Sequence, residues 1–539
     1  MSKQNRHQNH VIPGNQPGSH IPYFIVHNSY LITIFFLLSW AWASWWMGDV
    51  LRIAYERSFF ATDVTLMHGL WQQSFGWLWF VGRALLTLYR WPLLGGLLVA
   101  VLLAAGAGLL GYCLRLSWRW RWVQFLPAAA WMFWTAHEGI SLYYMHDAGR
   151  ILIAPLLIAV ISGLWAVVAK LTRRPAPAPG NSASGKVEWG GRRFPFALLF
   201  YSLFLLLLFI APSLYLTHRH PYLRPLTRME VQLLHHDYEG MSRTAHAHAE
   251  LSYRQMAGFY AIALARTGHL ADQLFDIKFD FEDIKGKSYF GTPNRCLDYH
   301  VVDCNYHAGL VRSALHYAIL NLTSDGPSLH TLKYLTKIAL IEGDWELARK
   351  YLRILGKAPF EGDFVRKYQP MVGHSELLKA DAELSAVISS MPPVHVLENM
   401  YPKPCFLGYY AGQRFLGSKE SQTWGAVACL YSKRMNDFLR FAQQYAGTMP
   451  PRSIAEGLVT QVSKYPELLK MFPQLNMEVN RYSLFLQEAE AYMQDPKGGS
   501  QALFQKYQGY YPYYYFFGNL PSKEQQEEQV QQEFNAGVN

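Results

Sequence analysis

Two short stretches of this 539-residue chain hold the residue types from which acid–base or metal chemistry is built. Asp49, Glu56, Asp63 and His68 lie in the first, and His137, Glu138, His146 and Asp147 in the second. A carboxylate can take a proton from a reacting group or hold a divalent cation, and an imidazole titrates near neutrality. Asp49, Asp63, His137 and Asp147 are the candidates for catalysis, because they flank apolar runs and could meet at one rim. The plainer alternative is that such groups cap helices and solvate loop ends. A second cluster, His235, His236, Asp237, His246, His248 and Glu250, has no metal-site spacing; on a helix His246 and His248 point to different faces. Walker, Rossmann, zincin and nucleophile-elbow patterns are absent, and neither a metal nor a cofactor is expected.

The elements that must position these residues are apolar runs. Tyr30–Met47 ends in Trp42, Trp45 and Trp46, rings suited to a bilayer interface. Pro92–Cys113, a weaker run over Val123–Ile140, Ile151–Ala169 and Phe194–Leu216 follow. About 20 apolar residues suffice for a helix to cross a bilayer. Ser74–Tyr89 is aromatic but carries Arg83, and reads as an amphipathic helix at the membrane surface. With five spans, the basic N-terminus, the cluster Arg115, Arg119 and Arg121, and the stretch from Lys170 to Arg193 share one side, which is the cytoplasm by the positive-inside rule. The loops 48–91 and 137–150, and everything after Leu216, then face outward. No inverted repeat or broken-helix pair points to a transporter.

The expected organisation is all-α: a disordered cytoplasmic N-terminus (1–29), four spans within 30–172, a cytoplasmic linker (173–193) containing PAPAPG, a fifth span (194–216), a periplasmic helical domain (217–520) and a disordered tail (521–539). The domain reads as a tetratricopeptide-like solenoid. Its clearest unit is 332–355, where Leu332, Leu335, Ile338 and Ala339 form one stripe, Gly343 and Asp344 a turn, and Trp345, Ala348, Tyr351 and Leu352 the next stripe. Near its end stand Tyr513, Tyr514, Tyr515, Phe516 and Phe517, which either close the helical stack or form a docking surface. Five cysteines are too few for a disulfide framework, but Cys296 and Cys304 could pair in an oxidising compartment.

Composition agrees with a membrane protein. Hydrophobic residues make up 51% and charged residues 16%, against a soluble norm of about 25% charged. The net charge of +10 comes without interleaved basic and aromatic motifs, which argues against nucleic acid as a partner. The start of the chain, a span followed by an acidic outer loop and a surface helix, resembles polytopic glycosyltransferases that use lipid-linked sugars. That resemblance covers residues 30–90 and implies Asp49 or Asp63 as base or metal ligand. Over most of its length the chain resembles a family of bacterial multi-pass membrane proteins of unassigned function. That likeness is carried by Tyr55–Gly82, by CLDYHVVDCNYH at 296–307 and by YYFFGNL at 514–520. The expectation is an inner-membrane protein whose periplasmic domain binds envelope proteins as a scaffold. The competing expectation is a membrane transferase that uses its outer loops.

Overall fold

The computed structural model describes residues 20–114, 118–143, 147–172, 193–251, 254–278, 299–393 and 416–518. Among these residues every regular element is helical. Four helices are long and apolar enough to cross a membrane: Ser29–Trp46, Pro92–Leu114, Ala148–Leu171 and Leu199–Arg219. In chain order the N-terminal half comprises α1 (His20–Ala41), α2 (Gly48–Glu56), α3 (Val64–Trp71), α4 (Gly76–Leu86), α5 (Pro92–Leu114), α6 (Leu126–Glu138), α7 (Asp147–Leu171) and α8 (Arg193–Arg219).

The run expected as a third span differs from the other four. It forms a 3-10 segment, Trp118–Phe125, followed by the 13-residue α6. Thirteen residues rise only about 20 Å, short of the roughly 30 Å of a hydrocarbon core. Its limits are set locally. A proline sits in its first turn, and Gly139 ends it at φ +50, a value that L side chains rarely adopt. Two neighbours locate this segment: Gln124 lies against Gly111 near the C-terminal end of α5, and Gly139 lies against His220 just past α8.

The aromatic stretch expected at the membrane surface is α4 with a 3-10 turn, Thr87–Arg90. It packs along the start of α7 so closely that a Cβ on Gly82 would collide with the Gly149 carbonyl. Arg83 is buried there and donates from Nη1 to the Phe59 carbonyl at 3.1 Å.

Residues 48–91 and the helical domain form one packed body. Helix α9 (Leu223–Leu234) lies against α2, and the Arg224 guanidinium stacks 3.7 Å from the Trp46 ring. The Leu329 N–H donates to the Ser58 carbonyl at 3.0 Å, and Trp91 meets Phe360 edge-on at 4.9 Å. Buried apolar side chains run without a break from Leu31 in α1 to Phe517. The domain is built of antiparallel hairpins. In the unit at 329–355, Gly343 turns at φ +77 and Asp344 caps the next helix by accepting from the Leu347 N–H at 3.0 Å.

The aromatic run near the end is packed inward. Tyr511 meets Phe275 edge-on and Tyr514 meets it at a tilt, with centroids 4.9 and 5.0 Å apart, and their hydroxyls donate to the Leu430 and Tyr431 carbonyls. Tyr514 and Phe517 are buried, while Tyr513, Tyr515 and Phe516 are partly covered. Tyr511, Tyr514 and Phe517 are therefore part of the domain's core. Cys296 lies outside the described residues, and Cys304 is buried on the helix Tyr299–His307.

Candidate functional site

A cavity of about 370 Å³ lies where the helices of residues 48–91 meet the domain. Short-range helix periodicity supplies its walls. Arg52 and Glu56 lie one turn apart on α2, with Arg57 at its end. His330, Lys333, Tyr334 and Lys337 share one face of the helix Leu329–Glu342, opposite the apolar stripe read from the sequence. Asp303 and His307 lie one turn apart on Tyr299–His307. Arg90, Glu230, Glu361 and Glu383 arrive from four further elements.

The charges pair across the junction. Lys333 Nζ bridges Glu56 Oε2 at 2.8 Å and Glu361 Oε2 at 3.0 Å. Arg52 closes on Glu56 at 3.2 Å, and Arg90 on Glu361 at 3.1 Å. The Tyr55 hydroxyl donates to Glu361 at 2.7 Å. Arg57 meets Glu230 at 2.9 Å, and Lys337 meets Glu383 at 2.7 Å. His330 Nε2 donates to Asp303 at 2.8 Å.

Environment divides these groups into two kinds. Burial works to raise the Glu56 carboxyl, but Lys333 and Arg52 outweigh it and hold it at about 2. Burial likewise opposes Lys337 and His307 at Glu383, which is also held at about 2. Both stay ionised and serve as fixed anions. At Glu230 burial prevails over Arg57, and with the charge of Asp303 nearby its carboxyl rises to about 7. A carboxyl titrating there can give or take a proton under working conditions. Burial, reinforced by Arg266, holds the His307 ring at about 3, so a neutral Nδ1 accepts from the Arg266 guanidinium at 3.1 Å. Burial lowers His330 as well, so a neutral ring is what donates to Asp303.

The residues singled out for catalysis do not converge on this chamber. Asp49 lies in the first turn of α2, away from the lining, where burial raises its carboxyl against the pull of Arg228 and Arg224. Asp63 caps α3, accepting from the Thr65 N–H at 2.9 Å, and pairs with Lys357. His137 Nδ1 bonds the Tyr215 hydroxyl at 3.0 Å at the end of α6. Asp147 opens α7. Glu56, from the same stretch as Asp49 and Asp63, does reach the chamber, as do His235 and His236 of the second histidine cluster. Among the described residues no three of His, Cys, Asp and Glu are arranged to hold a metal.

Comparison with known proteins adds one finding. Residues 151–518 match the profile of a family of unknown function, DUF6057. The chain belongs to that family. In this DUF6057 member the matched region spans α7, α8 and the domain wall of the chamber, while Arg52, Glu56, Arg57 and Arg90 come from residues before it. No curated protein and no solved structure matches the chain significantly.

Proposed function

We propose that this protein is a five-pass protein of the bacterial inner membrane that binds a small charged molecule in the chamber between its first outer loop and an outward-facing, tetratricopeptide-like domain. One observation carries the binding reading: the enclosure is walled from both sides by ion pairs and holds a carboxyl poised near 7. Its volume lies within the roughly 300–1,000 Å³ of small-molecule pockets.

The topology has its own support. Residues 48–91 pack on the domain, so the chain between them crosses the bilayer an even number of times. Three of the long apolar helices lie in that interval. The segment Trp118–Phe125 with α6 supplies a fourth crossing. Eight 3-10 residues and thirteen α-helical residues reach roughly 35 Å. Its last residue adjoins Gly139, which lies against His220 just past α8, and Gln124 within it lies against Gly111 three residues before the end of α5, as a crossing requires. The basic clusters at the N-terminus, at 115–121 and at 170–193 then share the cytoplasmic side.

The proposal keeps the membrane location expected from the sequence, and puts the function in the chamber instead of on the outer surface of a scaffold. Lys333→Met and the double variant Lys337→Met/Glu383→Gln, expressed in a deletion strain, test it. Loss of rescue by the double variant at normal abundance is the expected result. Full rescue by both variants overturns the chamber reading and returns the function to the domain's protein-binding surface. Reporter fusions after residues 145 and 182 test the topology: a cytoplasmic signal at 145 overturns it.

A further inference from the structure

Resting on the reading of the chamber as a ligand site, we propose that its ligand carries a phosphoryl group, held by Arg90, Lys333 and Lys337. The argument comes from which partner of each pair faces the space. Arg90 is 20% exposed against 1% for Glu361, and Lys333 is 14% exposed against 2% for Glu56. Lys337 is 14% exposed against 5% for Glu383. In all three the carboxylate lies behind and the cation in front. The buried anions fix the position of the cations, and the cations offer their remaining N–H groups to the lumen.

The donor inventory narrows the ligand. An ammonium has three N–H donors and no acceptor, and a guanidinium has five. Lys333 uses two on Glu56 and Glu361, and Lys337 uses one on Glu383. What remains on these three groups donates only, from two elements: the turn Thr87–Arg90 and the helix Leu329–Glu342. At the two lysines a cation finds Glu56, Glu361 and Glu383 screened, and the exposed Asp363 carboxylate stands apart from them beside Arg90. A phosphoryl group brings three acceptor oxygens and negative charge, and cationic donors bind such oxygens about twice as strongly as neutral ones do.

Two pairs run the other way: Glu230 is more exposed than Arg57, at 9% against 3%, and Asp363 more exposed than Arg90, at 70% against 20%. An anion set against Glu230 would be repelled while that carboxylate is charged. The phosphoryl group therefore sits at the lysine wall, and the remainder of the ligand extends toward Glu230.

The phosphoryl group can belong to a soluble metabolite or to a lipid headgroup at the membrane edge. Thermal unfolding of the full chain, purified in detergent, would be followed with inorganic phosphate, with glycerol 3-phosphate and with acetate at equal ionic strength. The same protein would be examined in nanodiscs of phosphatidylglycerol and of a neutral glycolipid. Lys337→Met/Glu383→Gln removes both charges of one pair, so it leaves no uncompensated buried charge to unfold the chain. Stabilisation by phosphate or glycerol 3-phosphate over acetate, weakened about tenfold in half-saturating concentration by the double variant, supports a soluble ligand. Stabilisation by phosphatidylglycerol alone, again lost in the variant, supports a headgroup. Equal effects of acetate and phosphate overturn the phosphoryl assignment. So does the absence of any phosphate or lipid effect; in that case loss of rescue in the deletion strain would still uphold the chamber, whereas full rescue would end both readings.

Discussion

Glu230 and Glu456 are two buried carboxyl groups that burial pushes up to about 7, and they stand in contrasting surroundings. Glu456 is closed in by protein. It accepts from the Tyr511 N–H at 2.8 Å, from Arg452 Nε at 3.2 Å and from Arg481 Nη1 at 3.3 Å, under the terminal aromatic stack. Glu230 has one guanidinium at 2.9 Å and faces an enclosed volume. The same shift therefore describes a packing joint in one place and a candidate site in the other. A perturbed carboxyl gains functional meaning only with space beside it and neighbours that can receive a ligand.

The strongest way to break this comparison is Lys333→Met. It leaves Glu56 with Arg52 alone and Glu361 with Arg90 and Tyr55, two buried carboxylates each short of one cation, and breaking such a buried pair costs up to about 3–5 kcal/mol. The expected result is a large fall in the unfolding midpoint in detergent, reversed in part by adding Glu56→Gln. A midpoint unchanged from wild type would show that Lys333 does not bridge the two carboxylates.

The next effect is in pH dependence. Glu230 and Glu456 have folded-state values raised from 4.5 to about 7, so each contributes stability that is full below 4.5 and lost as pH climbs through 7. A shift of that size is worth about 3 kcal/mol per group. His307 works in the opposite sense: its folded value is lowered from 6.5 to about 3, so its contribution is present above 6.5 and lost as pH falls toward 3. The difference between variant and wild type isolates each group. Glu230→Gln and Glu456→Gln should each remove one share of the decline between pH 4.5 and 7. A Glu230→Gln profile parallel to wild type would contradict the burial argument.

Below pH 7, where Glu456 is protonated, Glu456→Gln should cost about 1 kcal/mol, since it exchanges one set of neutral acceptor bonds for a poorer one. It should leave any response to phosphate unchanged, and a lost response would erase the contrast between the two carboxyls. Asp63→Asn is expected to have the smallest effect, because this cap and its Lys357 partner lie outside the chamber. Undiminished rescue of a deletion strain is the expected readout, and failure at normal abundance would restore Asp63 as a site residue.

These contrasts explain what the chain reveals before it is folded. Four of the long apolar runs, the Gly343–Asp344 turn and the acidic stretch on α2 are local signals, and they appear where periodicity puts them. The short α6 is not separable from a span by composition alone, because its ends are set by a proline and a glycine within an apolar background. The chamber is assembled from residues 52 to 383, and no two of its walls are sequence neighbours except within single helical turns. Arg52–Glu56 alone looks like an ordinary solvated pair on an amphipathic helix. The face opposite the Leu332–Leu335–Ile338 stripe offered one usable signal: His330, Lys333 and Lys337 line up on it, with the domain's apolar core on the other side. Which face meets a partner element is a tertiary fact.

The most direct test of the central claim is rescue of a deletion strain by two full-length variants with matched abundance, Lys337→Met/Glu383→Gln in the chamber and Glu456→Gln in the packing joint. The account predicts that the chamber variant fails and the joint variant succeeds. Rescue by the chamber variant at wild-type level would contradict it.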